Sequence, residues 1–461
     1  MNKNFSFGIS SLDRLLADAL VPGTLIVIAG HPGSGKTTLA STICASNAMR
    51  GHKCLYITFQ EDREKLIRNM KRVGVELDKH VAEKNIVIVR LPASLSLDDT
   101  LEAINKLMLS TKPNIIVIDS INTVLAASEK SGEKRALLHN FFYSLASLTK
   151  GLSILVAEIP LYSESLNLSG LEFISDIVLV LKIEREHRLA SRMLEIRKVR
   201  GAPVYVVEVP FSIIEGKGIY ITLPPILEKI SAEKGKIKLC CRQLESILNY
   251  MERGEVVYVT YPPDARPDEI LILLAGLAVV NDHRVLLISY RSSPHSLRRR
   301  LIHALERLGA KGGVAEKIVE KHFVFKSLNP FIYTLSELVA METTATEEVD
   351  ADMIILHGVD IPMTVERLQR YMPLLFDQLN YFKEKGVLVV RLAALVDEKL
   401  YNINSRLSDI VMRYMVISKA AGRQEYKLYV WGRNRRPHVL MPQDIEECIR
   451  ETIYNMLSVY A

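Results

Sequence analysis

The sequence predicts an α/β protein of two tandem domains, each a mainly parallel sheet flanked by helices, and three observations predict it. The apolar run LIVIAG at 25–30 opens into Gly30-His31-Pro32-Gly33-Ser34-Gly35-Lys36-Thr37, the G-x-x-x-x-G-K-[ST] spacing of a phosphate-binding loop between a buried strand and a helix. Further apolar runs then alternate with helical patterns, as in a sheet built from strand-helix-strand units. The plan returns in the second half, where HKCLYITF at 52–59 aligns with HRVLLISY at 283–290 at an offset of 283 minus 52, or 231.

The loop has a residue-by-residue rationale. Gly30, Gly33 and Gly35 lack a Cβ, so the backbone across His31, Pro32 and Ser34 can turn its N–H groups onto a phosphate. Lys36 adds a point charge for the β- and γ-phosphates and Thr37 a hydroxyl for Mg²⁺. The helix that follows through Thr38 presents its positive end to the same phosphates. A plain glycine-rich turn would not need Lys-Thr directly after its last glycine.

After a helix over 40–49, the strand 54–59 ends in Gln60-Glu61-Asp62. Polar residues at the carboxyl end of a strand face the ligand in open α/β sheets, so Glu61 is the candidate to polarise an attacking water. Glu61 and Asp62 also suit the first turn of the amphipathic helix expected over 63–73, and both readings hold together. The strand 115–118 closes on Asp119, placed to support Mg²⁺ opposite Thr37. A helix over 133–149 leads to a strand over 153–157 that ends in Glu158. Then 177–183 pairs with 192–199, which carries Glu195, Arg197, Lys198 and Arg200.

Bulk properties bound the rest. At 461 residues the chain exceeds one ordinary core, and 48% hydrophobic with 24% charged residues describes a globular protein rather than a disordered one. The net charge of +6, from 59 basic and 53 acidic side chains, permits nucleic-acid binding without arguing for it. Five scattered cysteines without a C-x-x-C pair predict neither a zinc site nor a disulfide framework, and suit a reducing compartment. The opening MNKNFSFGIS lacks the apolar core of a secretion signal, and the longest apolar run, 270–280, is too short for a bilayer. The expectation is a cytoplasmic protein without membrane contact.

The combination of FGISSLDRLL (7–16), the phosphate loop, YITFQED (56–62), IIVIDS (115–120), ISDIVLVL (174–181) and MLEIRKVRGAPVYVVEVPFSI (193–213) resembles the KaiC-like branch of the RecA superfamily of ATPases. The resemblance covers residues 1–222. It implies a parallel-sheet ATPase that takes ATP and Mg²⁺ and assembles into homo-oligomeric rings, usually hexamers, with nucleotide at the subunit interfaces. Lys198 and Arg200 match the family's K-x-R-G segment, whose basic side chains reach a neighbour's γ-phosphate; on an exposed hairpin they would otherwise pair with Glu195 or Glu184. One departure stands out. The family carries two adjacent glutamates where this chain has Gln60-Glu61, and an amide accepts no proton, so hydrolysis rests on Glu61 alone or is slow.

A first domain is therefore expected over 1–225, a linker over 226–236 and a second RecA-like domain over 237–461. The offset of 231 puts Tyr261 at Gly30, Pro267 at Lys36, Asp268 at Thr37 and Arg291-Ser292 at Gln60-Glu61. Rings, prolines and carboxylates there would repel a phosphate, so the copy keeps the fold without nucleotide chemistry. Its strands are expected over 256–260, 285–290, 353–356 and 387–391, with His357 as a core or capping histidine. Arg298-Arg299-Arg300 and Arg433-Asn434-Arg435-Arg436, near Trp431, could grip nucleic acid, but a solvated face or ring interface explains them equally well.

The leading expectation is a slow ATPase in a ring, with a pseudo-ATPase second domain for assembly or a protein partner. The alternatives are an ATP-dependent assembly module that does not hydrolyse, and a RecA-related, DNA-binding recombination accessory protein. No base-reading residue is identifiable, so ATP rather than GTP follows from the resemblance.

Overall fold

The computed structural model describes residues 5–16, 19–126, 132–160, 170–186, 189–202, 206–221, 235–264, 268–311, 313–363, 368–395, 397–420, 423–432 and 436–460. The chain divides into two compact units, Met1–Leu223 and Pro224–Ala461. Most of the expected linker, 226–234, and Pro267, Arg433, Asn434 and Arg435 lie outside the described residues.

Among its described residues the first unit holds nine strands: β1 (Thr24–Gly30), β2 (Cys54–Thr58), β3 (Ile86–Arg90), β4 (Ile115–Asp119), β5 (Leu152–Glu158), β6 (Ile177–Glu186), β7 (Leu189–Val199), β8 (Glu208–Ile214) and β9 (Gly218–Ile221). Their order in the sheet is β3-β2-β4-β5-β1-β6-β7-β8-β9, parallel through β6 and antiparallel beyond it. The apolar composition of β1 follows from burial on both faces. Ile26 and Ile28 enter one core with Leu39, Ala40 and Ile43 of the helix Lys36–Met49, while Leu25, Val27 and Ala29 enter the other with Leu138, Phe142 and Leu145. Each such side chain contributes roughly 1.5–3 kcal/mol by leaving water, which fixes the strand and hence the loop at its carboxyl end.

The second unit has a two-stranded ribbon, β10 (Lys236–Ile237) with β11 (Met251–Glu252), and an eight-stranded sheet. The sheet comprises β12 (Val256–Tyr261), β13 (Val285–Ser289), β14 (Phe323–Ser327), β15 (Met353–His357), β16 (Leu388–Ala394), β17 (Ile410–Ala420), β18 (Arg423–Gly432) and β19 (His438–Leu440). Its order, β14-β13-β15-β16-β12-β17-β18-β19, repeats the first eight positions of the other sheet strand for strand. Two mainly parallel sheets flanked by helices bear out the expected fold class. A single offset does not run the whole length: it is 231 between β2 and β13 (285 minus 54) but 238 between β4 and β15 (353 minus 115), because the intervening connections differ in length.

The cysteine expectation is corrected. Cys44 pairs with Cys54, and Cys241 with Cys448 across 207 residues, leaving only Cys240 as a thiol. Spacing could not show this, because pairing depends on packing: the first bond joins the helix after the loop to β2, the second joins the start of the helix Arg242–Leu248 to the C-terminal helix Pro442–Tyr460. The reducing-compartment argument falls with it, since disulfides persist mainly in oxidising settings or in hyperthermophile interiors. Among the described residues, no helix is long and apolar enough to cross a membrane.

Candidate functional site

The phosphate loop leaves β1 at Gly30 and enters a helix at Lys36. A Cβ on Gly30 would lie 2.2 Å from the Leu181 carbonyl oxygen, so the loop can hug β6 only with glycine there. Gly35 caps the helix at φ 103°, and a Cβ on it would meet Ile213 Cδ1 at 2.6 Å. The loop is pinned from both sides. His31 N donates to Leu181 O (3.2 Å) and its Nδ1 accepts from Ile183 N (3.3 Å), while Ser34 N donates to His31 O (3.1 Å). Pro32 and Gly33 stand exposed at the tip, and Thr38 is buried behind them. The buried Ser34 Oγ has no hydrogen-bond partner among the described residues.

Lys36 Nζ lies across this loop, donating to His31 O at 2.9 Å. Burial pulls its pKa below the ordinary lysine value, while Glu158 and Asp119 oppose that shift. Thr37 Oγ1 donates to Asp119 Oδ2 at 2.8 Å, bringing the two expected metal-supporting residues together from the helix and from β4. Asp119 is followed by a cis peptide bond to Ser120. Burial raises its carboxyl pKa, and the hydrogen bonds from Tyr56 and Thr37, with the charge on Lys36, pull it back.

Mg²⁺ fits this set. Hard cations take oxygen donors, and a hydroxyl and a carboxylate meet here beside a lysine and a cradle that a Cβ would fill.

Glu61 follows the end of β2, with its N–H on Thr58 Oγ1 (3.1 Å). Its carboxylate accepts weakly from Asn69 (3.5 Å) and lies 3.7 Å from Lys65, both on the next helix, and 31% of the side chain is exposed. It faces the same centre, contributing to the electrostatics of Tyr56 and Asp119. The helix over Arg63–Arg72 has Asp62 as its N-cap residue, but without a capping hydrogen bond; Asp62 instead pairs with Arg90.

Lys198 and Arg200 sit elsewhere. Lys198 opposes Val178 near the amino end of β6, whereas the loop leaves β1 at Gly30 opposite Leu181. Lys198 Nζ donates to the carbonyls of Glu172 (2.9 Å) and Phe173 (3.0 Å), and Arg200 to Phe173 O (2.7 Å), with Asp176 3.6 Å away. Burial, then the neighbouring Arg200, lowers the Lys198 pKa. The expected alternative partner Glu195 is held by Arg197 and Lys182.

Three residues of this site escaped the sequence reading. Tyr56, fully buried on β2, donates to Asp119 Oδ2 at 2.7 Å. Glu158, opposite Gly30 in register, lies within electrostatic reach of Lys36. Asn122 clamps the Glu158 backbone, accepting from its N–H (2.7 Å) and donating to its carbonyl (3.0 Å). Tyr56 and Glu158 carried a signal: a phenol in an otherwise apolar strand needs a partner when buried, and Glu158 closes an apolar strand as Asp119 does.

The equivalent end of the second sheet is built differently. Asp268, at the N-cap of the helix Glu269–Val280, accepts from Arg300 (3.0 Å) and pairs with Arg307 (3.5 Å). His357 takes the strand-end place of Asp119 and shares a hydrogen bond of 2.9 Å with Ser289 Oγ. Arg298 pairs with Glu320 at 2.7 Å. Two of the three clustered arginines are thus engaged by acids.

A family model for the KaiC ATPase matches residues 5–225. The circadian clock oscillator protein KaiC of Parathermosynechococcus lividus is 25% identical over 207 residues, 44% of this chain and 37% of that protein. Circadian clock protein KaiC2 of Synechocystis is 26% identical over 207 residues, 43% of this chain and 36% of that protein. DNA repair protein RadA of Haemophilus influenzae is 33% identical over 127 residues, 28% of this chain and 25% of that protein. The chain thus spans less than two-fifths of the length of these relatives.

Proposed function

We propose that this chain, whose residues 5–225 form a KaiC-like ATPase domain of the RecA superfamily, binds Mg-ATP at the Lys36–Asp119 centre and hydrolyses it slowly within a homo-oligomeric ring. The observation that carries the reading is the 2.8 Å hydrogen bond from Thr37 to Asp119 at the mouth of the glycine loop. Gly30, Gly33 and Gly35 let the backbone through His31, Pro32 and Ser34 wrap the phosphates, and Thr38 continues the helix whose positive end faces them. Lys36 exchanges the His31 carbonyl for phosphate oxygens. Thr37 and Asp119 would hold Mg²⁺, which would supply charge neutralisation for the phosphates. Glu61 orients the attacking water and takes its proton. Lys198 and Arg200 act on the γ-phosphate of a neighbouring subunit, a reading supported by their place at the far end of β6 from their own loop.

In this reading the second unit, with Asp268 tied to Arg300 and Arg307 where the first unit has Thr37, is a pseudo-ATPase domain for assembly or a protein partner. The ion pairs of Arg298 and Arg300 support this over a DNA-binding role. A second reading, ATP-dependent assembly without hydrolysis, draws on Gln60 and on the Lys65 ammonium beside Glu61. Phosphate release, compared between the unaltered chain and Lys36→Ala, separates the two. Turnover above the variant's level supports hydrolysis, and equal rates with retained, nucleotide-dependent light scattering support the assembly module.

A further inference from the structure

We propose that the second unit binds a small monovalent inorganic anion, of chloride size, against the buried guanidinium of Arg391. Arg391 lies on β16 between Leu356 of β15 and Tyr258 of β12, and it is fully buried. Among the described residues its one polar contact is a weak donation from Nη2 to Met363 Sδ at 3.5 Å, while Nε and Nη1 have no partner. A guanidinium keeps its charge at any ordinary pH, so burial cannot be relieved by losing a proton.

The acids within reach are committed elsewhere. Asp360 accepts from Arg291 at 2.6 Å and from Ala394 N at 3.2 Å. Glu342 accepts from the Tyr290 hydroxyl and from Gln378 Nε2 at 2.7 Å, and burial raises its pKa to about 7, so near neutral pH it carries a fraction of a charge. Among the described residues, one full positive charge therefore remains in the core without a touching counter-ion. Water would complete the hydrogen bonds and leave that charge, whereas an anion cancels it.

A second observation lies on the same face. Thr260, two residues beyond Tyr258 on β12, is fully buried with its Oγ1 unpartnered. Its register partner Arg413 on β17 has an unpartnered buried Nε, although its Nη2 donates to Glu398 at 2.9 Å. Both Arg391 and Arg413 act electrostatically on Tyr258, which lies between their strands. Three adjacent strands thus carry buried polar groups without partners among the described residues, Arg391 midway along β16, Thr260 near the carboxyl end of β12 and Arg413 beside it on β17. Full burial of Arg391 and Thr260 limits the guest to the size of a single ion.

The chain contains one tryptophan, and Trp431 packs against this core, opposite Val411, the register partner of Tyr258. The experiment uses the full chain carrying Lys36→Ala, so that the phosphate loop contributes nothing. Trp431 fluorescence and thermal midpoint are followed against sodium bromide, with sodium gluconate holding ionic strength constant. A saturable fluorescence change with a rising midpoint is expected. At 100 times the dissociation constant the folded-to-unfolded ratio rises about 100-fold, and Arg391→Gln removes both responses. Should that variant fail to fold, crystals of the unaltered chain in bromide decide the matter by an anomalous peak in contact with Arg391. No saturable response beyond gluconate, a response that survives Arg391→Gln, or a plain water at that place would overturn the proposal.

Discussion

Tyr56 and Thr37 donate to the same carboxylate oxygen, Oδ2 of Asp119, at 2.7 and 2.8 Å. The second contact joins the two residues expected to hold Mg²⁺. The first comes from the floor of the sheet, where Tyr56 is fully buried on β2 beside Val117 of β4. Burial drives the phenol pKa far up, so it stays a donor throughout the working pH range. A fixed donor beneath a carboxylate sets its orientation and leaves the remaining lone pairs for the metal.

Tyr56→Phe should therefore weaken metal binding without loosening the fold. A hydrogen bond to a charged group contributes about 1.5–3 kcal/mol, which corresponds to roughly ten- to hundredfold in Mg²⁺ affinity. Manganese titration followed by electron paramagnetic resonance reads this directly. In the proposed reading the phosphates contact the loop rather than the tyrosine, so nucleotide affinity in excess metal should hardly change.

Lys198 and Arg200 rest on the carbonyls of Glu172 and Phe173, away from their own loop. If they serve a neighbour, Arg200→Ala should lower turnover by up to about a thousandfold with ATP affinity retained. Mixing Arg200→Ala with Lys36→Ala protein should then restore activity, because one supplies the loop and the other the guanidinium. Mixed samples that stay as inactive as either variant alone would remove action in trans.

Gln60 supplies an amide where a carboxylate would accept a proton. Gln60→Glu should raise steady-state phosphate release, by a factor within the hundred- to ten-thousandfold range typical of general bases, roughly at its low end because Glu61 is already present. Glu61→Gln should bring release to the Lys36→Ala level. A Glu61→Gln chain that still turns over normally would move the proton acceptor elsewhere, with Glu158, which acts electrostatically on Lys36, the next carboxylate to test.

How far the sequence carries depends on whether a feature is local. The loop, its strand and its helix lie within one continuous stretch, Thr24–Met49, and their apolar and glycine pattern suffices to read them. Asp119 is legible because a carboxylate closing an apolar strand has few other uses. Tyr56 was hidden because its partner is set by the β2–β4 register, which no spacing expresses. The cysteine pairs fail for the same reason, since Cys241 meets Cys448 only when the C-terminal helix docks. In the second half, the constant offset fades beyond β13 as connection lengths diverge. The repeat of strand order then exceeds what identity alone displays.

The Cys241–Cys448 bond closes a long loop around almost all of the second unit. Chain-entropy reasoning gives roughly 5–5.5 kcal/mol for a loop of that length, and measured values usually fall at 2–4 kcal/mol. Reductant, or Cys448→Ser, should lower the unfolding midpoint of this unit. A midpoint indifferent to reductant would show that the C-terminal helix holds by packing alone.

Glu342 supplies a pH dependence of opposite sense to the usual carboxylate. It is fully buried, and desolvation raises its pKa from 4.5 to about 7 against the pull of Tyr290 and Gln378. Between those values the folded state binds more protons than the unfolded chain, so stability falls as pH rises. The favourable contribution is complete below about 4.5 and is lost as pH passes about 7. The shift corresponds to a loss on the order of 3 kcal/mol at alkaline pH. Glu342→Gln keeps an acceptor for Tyr290 and cannot ionise. Denaturant unfolding between pH 5 and 9 should show the unaltered chain losing stability relative to the variant between about pH 5 and 7, with the offset constant above pH 7. Parallel curves would mean that the carboxyl titrates as though solvated, and Tyr290 and Gln378 would then be its structural partners only.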